Sequence, residues 1–256
     1  MKKNLFGIVA IAVVVAFGIV VWQKLQPQSP ESTQPQVAQN LPVPPPVQTG
    51  EVQRSEPVPD LPPPKIAAPA ELDGSDLGVR SAIADLAPQL LPWLTPEEQI
   101  RKWVMLVDVI ADGSIPSDRR PLAYAVKPFE GKQQGDVAVI DPADYERATP
   151  LVDAIVAIPP EHFVQYYRHW KPLLERAYRE LGKRDSFDAR LRAAISRICA
   201  AHQLPANAEI KQVGVYFIFT NPDYEKASDL DKLLWRMGPD NLGRLQAYLN
   251  KLRPLL

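Results

Sequence analysis

One thiol and a pair of histidines are the residues whose spacing invites chemistry. Cys199 and His202 are three apart, so on a helix they share a face. A Cys–His pair of that kind can hold a thiolate nucleophile. Cys199, however, follows Ile195 and Ile198 on what reads as an apolar face, where a lone cysteine is ordinary core. The core reading is the expectation. His162 and His169 lie seven apart. Seven residues rise about 10.5 Å along a helix, too far for two imidazoles to share one metal ion. Carboxylates are plentiful, but no spacing among them fixes an acid–base pair. Walker A, G-x-G-x-x-G, G-x-S-x-G and H-E-x-x-H are missing from the sequence. No catalytic residue, metal or cofactor is therefore expected.

The elements that would position these residues read mainly as helices. Thr95-Pro96-Glu97-Glu98 predicts a capping box, with the helix continuing through Ile100, Trp103, Val104, Val107 and Ile110 to Asp112-Gly113. Before it, Asp73 or Ser75 opens a helix with Leu77, Ile83 and Leu86 inward. Asp141-Pro142 opens another that carries Leu151, Val152 and Ile155, kinked at Pro150. The clearest amphipathic stretch places Phe163, Tyr166, Tyr167, Trp170, Leu173, Leu174, Ala177, Tyr178 and Leu181 on one stripe. Ser186 or Asp185 caps the next helix, Ser228 a short one, and Asp240 the last. Val126–Glu130 and Val137–Ile140 read as a hairpin, and Ile210–Thr220 as one strand buried on both faces and paired with it. The expected fold is mainly α: a compact domain of about seven helices with a small two- or three-stranded β element, over residues 71–256.

What precedes the domain is of another kind. Leu5–Trp22 is an unbroken, uncharged apolar run of 18 residues. As a helix it covers about 27 Å, close to the hydrocarbon thickness of a bilayer. Lys2 and Lys3 precede it, and after Lys24 no basic residue occurs before Arg54. The positive-inside bias then places residues 1–4 in the cytoplasm and the remainder across the membrane. A cleaved signal peptide would carry a shorter apolar region and an A-x-A-like site, and neither is seen. Residues 23–70 form a tether. Gln26–Ala70 holds 13 of the 28 prolines and no aromatic residue. Such a segment buries too little to order itself and reads as a disordered, extended spacer. Its alternative is a ligand for an aromatic-lined groove.

Net charge is −1, which makes no case for nucleic-acid binding. It is unevenly divided: Glu71–Pro160 carries −7 and Glu161–Leu256 carries +5. Either the two halves face each other, or the basic half faces an anionic partner such as lipid or cell-wall polymer.

Two resemblances enter here. The order of anchor, proline-rich spacer and C-terminal domain looks like that of TonB-type energy transducers. The run Trp235-Arg236-Met237-Gly238-Pro239-Asp240-Asn241 is more specific. With Asp141-Pro142, Lys171-Pro172-Leu173-Leu174, Ala177-Tyr178 and the Tyr216–Pro222 stretch, it resembles a family of bacterial envelope proteins, domain of unknown function 3014, over about Gly74–Leu256. That likeness implies an anchored envelope protein and supplies no activity, cofactor or catalytic residue. From the residues themselves, Gly238 ends a helix, Pro239 prevents its continuation, and a tight corner results. Arg236, Met237, Gly238, Pro239, Asp240 and Asn241 either brace that corner or meet a partner. The functional expectation is a single-pass inner-membrane protein with a periplasmic interaction or scaffolding domain that meets an envelope protein or the cell wall. The alternatives are a periplasmic enzyme acting on envelope polymer and a TonB-like transducer.

Overall fold

The computed structural model describes residues 61–256 except 125, 126, 128, 136, 206 and 215. Leu5–Trp22, the tether as far as Asp60, and part of the expected Val126–Glu130 strand lie outside the described residues. Among the described residues no helix is long and apolar enough to cross a membrane.

The chain is mainly helical. In order it forms α1 (Asp76–Leu86), a 3-10 turn (Pro88–Trp93), α2 (Gln99–Ala111), β1 (Lys132–Gln134), β2 (Val137–Val139), α3 (Pro142–Tyr145), α4 (Thr149–Val156) and α5 (Pro160–Glu180). Then follow α6 (Phe187–Cys199), β3 (Glu209–Val213), β4 (Tyr216–Phe219), α7 (Pro222–Glu225), α8 (Asp229–Arg236), α9 (Pro239–Leu252) and a terminal 3-10 turn (Arg253–Leu255). The described residues thus hold nine α-helices against the expected seven: the Asp141 segment divides into α3 and α4, and Pro222 opens the short α7 where only a turn is expected. Pro150, expected as a kink, instead opens α4 as its second residue, separate from α3.

The amphipathic stretch is α5. Its stripe buries Tyr166, Tyr167, Trp170, Leu173, Ala177 and Tyr178, as the spacing predicts. Pro172 is carried inside the helix. One apolar cluster joins Val164 of α5, Ile195 of α6, Leu234 of α8 and Leu242, Leu249 and Leu252 of α9. A second joins Val79, Val104, Trp170, Tyr178 and Phe187. Leu77, expected inward on α1, is 79% exposed, and Val79 and Ala82 turn in instead.

The cap of α2 is a correction. Thr95 and Glu98 do not form a capping box. Glu97 and Glu98 both adopt left-handed backbone, φ +58° and +52°, and the helix starts at Gln99. The carboxylate of Asp76 on α1 accepts from Glu98 N at 3.0 Å and Gln99 N at 2.8 Å. It satisfies amides that the local box would have satisfied, and adds negative charge at the positive end of the helix. Thr95 is drawn elsewhere: its hydroxyl donates to Arg120 O at 2.7 Å. The caps at Asp141, Ser186 and Ser228 form locally, each accepting from a first-turn amide.

The β element is a four-stranded antiparallel sheet in the order β1-β2-β3-β4. The first strand of the early hairpin is Lys132–Gln134, not the expected Val126–Glu130, and it pairs with Val137–Val139; pairing of that hairpin with the later segment holds, through Ala138 opposite Ile210. The single strand expected over Ile210–Thr220 is instead two strands. Gly214, φ +62°, turns the chain, and Val213 pairs with Tyr216. One face of the sheet buries Ala138, Ile210 and Phe219 around Trp235 of α8.

Candidate functional site

The residues that act on another segment gather on α5 and α1. Leu61–Ala70, counted with the tether by composition, lies along α5. Proline has no N–H, so a proline-rich strand offers carbonyls and ring faces to whatever holds it. The groove answers in kind. Gln165 Nε2 donates to Pro62 O at 2.7 Å and to Pro63 O at 3.1 Å. Trp170 Nε1 donates to Ile66 O at 3.3 Å, and Ile66 N donates to the Tyr166 hydroxyl at 3.3 Å. Arg176 closes the far end, donating to Ala70 O at 2.6 Å and pairing with Glu71 at 3.2 Å. Ile66 and Ala68 pack on the cluster that contains Tyr166 and Trp170.

Asp85 on α1 organises the near side. It accepts from the Tyr166 hydroxyl at 2.8 Å, and meets His162 Nε2 at 3.1 Å and Lys65 Nζ at 3.5 Å. The Tyr166 bond lowers the Asp85 carboxyl below its ordinary range, against partial burial, and Lys65 and His162 lower it further. Burial, together with the Asp85 bond, pushes the Tyr166 hydroxyl up to about 12. Pro69 explains a glycine inside α1. A Cβ on Gly78 would lie 2.7 Å from Pro69 Cγ. Glycine costs a helix interior about 1 kcal/mol relative to alanine, and here its missing side chain makes room for the proline ring.

Asp108 and Asp188 make structural ties. Asp108, 7% exposed, accepts from Tyr178 at 3.3 Å and from Arg190 at 2.7 Å, and pairs with Lys183 at 3.0 Å. Arg190 also grips Asp112. Asp188 accepts from Tyr167 at 2.7 Å, Lys171 at 2.8 Å and Arg192 at 2.9 Å. Burial raises its carboxyl, but those bonds outweigh burial and hold it at about 2. Asp108, Asp112 and Asp153 of the acidic half pair with Lys183, Arg190 and Arg244 of the basic half. At these points the two halves face each other.

The histidines and the thiol separate. His162 joins Asp85, while His169 Nδ1 bonds Gln165 O at 2.9 Å. Cys199 packs on the α5–α6–α9 cluster, and burial pushes its thiol up, away from a thiolate. His202 instead meets Trp235 edge-on, ring centroids 5.4 Å apart.

The six corner residues divide by exposure. Asn241, 4% exposed, donates through Nδ2 to Tyr145 O, Thr149 Oγ1 and Met237 O at 3.0–3.1 Å. Gly238 holds φ +86°, and a Cβ there would lie 2.7 Å from Tyr145 Cβ. Arg236 donates to Phe217 O at 3.0 Å and lies over the Phe219 ring. Met237 packs into the core, and Pro239 and Asp240 are exposed.

The groove is hard to see in the sequence because its two halves are about a hundred residues apart. A signal for it exists in Tyr166 and Trp170, polar-tipped residues on the apolar stripe, in Gln165 beside them, and in an aliphatic-Pro-Pro-Pro-Lys-aliphatic run just ahead of the domain.

Fold and site together define a helical domain with a small antiparallel sheet that binds a proline-rich strand of its own chain. The model of the family described as Protein of unknown function (DUF3014) matches residues 99–253, and the chain belongs to that family, as the corner motif suggested. No curated protein and no solved structure matches it.

Proposed function

We propose that this protein is a binding module of the bacterial envelope, held to the inner membrane by Leu5–Trp22 and presented in the periplasm on its proline-rich tether. The reading is carried by one observation: the α5 groove takes a proline-rich strand through donors aimed at its backbone. Gln165, Trp170 and Arg176 all reach main-chain carbonyls, which is how extended segments are recognised. The anchor and its orientation rest on the apolar run and its flanking lysines.

Two experiments test the reading. Alkaline phosphatase fused after Ala70 in cells is expected to be active; an inactive fusion overturns the orientation. In-cell cross-linking of the full-length protein, read by mass spectrometry, is expected to attach one or two discrete envelope proteins. Co-sedimentation with cell wall and no attached protein would instead favour action on envelope polymer.

A further inference from the structure

We infer that the groove on α5 also accepts the Leu61–Ala70 strap of a second copy, so that two chains exchange straps and associate. This rests on the groove reading above. The strap is the segment of this molecule already shown to fit the groove, and every copy carries it. An incoming strap remakes each bond that the departing one breaks, so exchange costs association entropy and little else.

The strap is built to leave. None of its ten residues is fully buried, and Lys65 keeps 76% of its side chain in solvent while paired with Asp85. Its departure uncovers the Tyr166 and Trp170 rings of the second apolar cluster, which then need a cover. Beyond Glu71 the chain is fixed again by Leu72, 6% exposed. The swing point is therefore Ala70–Glu71. Charge sets the register of any incoming strap: Lys65 must meet Asp85, while Glu71, beyond the swing point, stays with its own body.

The test uses the full-length chain, unlabelled and 15N-labelled in equal amounts, mixed in detergent and incubated before carbodiimide coupling of touching amine–carboxylate pairs. The product joining Lys65 to Asp85 is expected to be isotopically mixed, with the mixed share approaching half as concentration rises. The product joining Lys171 to Asp188, a 2.8 Å pair within the body, is expected to stay unmixed. A Lys65–Asp85 product that is unmixed at every concentration overturns exchange and leaves the groove standing. Absence of that product, with Lys171–Asp188 present, overturns the groove itself. A charge swap gives a second arm. Differently tagged chains carrying Lys65→Asp and Asp85→Lys each repel their own strap, yet pair correctly with one another. Their mixture is expected to co-purify at least tenfold above either chain with itself, and no enrichment overturns the proposal. In intact cells, an adduct of the strap with a different protein and none with its own kind would also overturn it.

Discussion

The Gly238 corner and the α5 groove differ in how deeply they are built. At the corner the chain is locked on its buried side: a glycine with φ +86° lies against Tyr145, and Asn241 shares its two amide protons among three acceptors. At the groove a half-exposed strap rests on side-chain tips. The corner lies within the residues matched by the family model, whereas the strap and Asp85 lie before Gln99, where that match begins. A motif specific enough to identify a family is here part of the scaffold. The family match covers the α5 side of the groove but not the strap that lies in it.

Substitutions should break this comparison in order of depth. Gly238→Ala forces an alanine into left-handed backbone and into Tyr145. It is expected to lose about 3 kcal/mol or more, measured by chemical denaturation; a loss below about 1 kcal/mol would mean the corner relaxes freely. Asn241→Ala strands buried acceptors and should lose about 2 kcal/mol, read in the same assay.

The body side of α5 sharpens the contrast through pH. Asp188 falls from an ordinary 3.8 to about 2 on folding. A depressed carboxylate contributes fully above the unfolded value and nothing below the folded one. About 2 kcal/mol of stability is thus expected to disappear between about pH 4 and pH 2. Asp188→Asn should flatten that limb of the stability curve; an unchanged limb would put the acid sensitivity elsewhere.

Groove substitutions should barely move global stability. Gly78→Ala favours α1 by about 1 kcal/mol on propensity but displaces Pro69. The expected result is little net change in denaturation with faster hydrogen exchange at Ile66, and unchanged exchange would detach Pro69 from strap docking. Lys65→Ala removes a largely exposed ion pair and should cost under about 1 kcal/mol, visible as strap exchange alone.

What the sequence made legible was whatever is decided within a few residues. The α5 stripe, the Asp141, Ser186 and Ser228 caps and the Gly-Pro break before α9 all depend on neighbours in the chain. The misread features depend on distant partners. Thr95 looks like a cap until Asp76 arrives from another helix. Leu61–Ala70 looks like spacer because composition cannot show that Gln165, Tyr166 and Trp170 are waiting for it. Ile210–Thr220 failed differently: a single glycine amid β-branched and aromatic residues was enough to turn the strand back on itself.

The strap also has a mechanical meaning. A pull arriving from the N-terminal side reaches the described domain first at Leu61, where the bonds from Gln165 to Pro62 and Pro63 carry it. Full release frees ten residues whose contour is about 33 Å when extended, ahead of Leu72 and α1. The docked strap is thus ten residues of contour length held in store between the N-terminal side and the first core residue, Leu72.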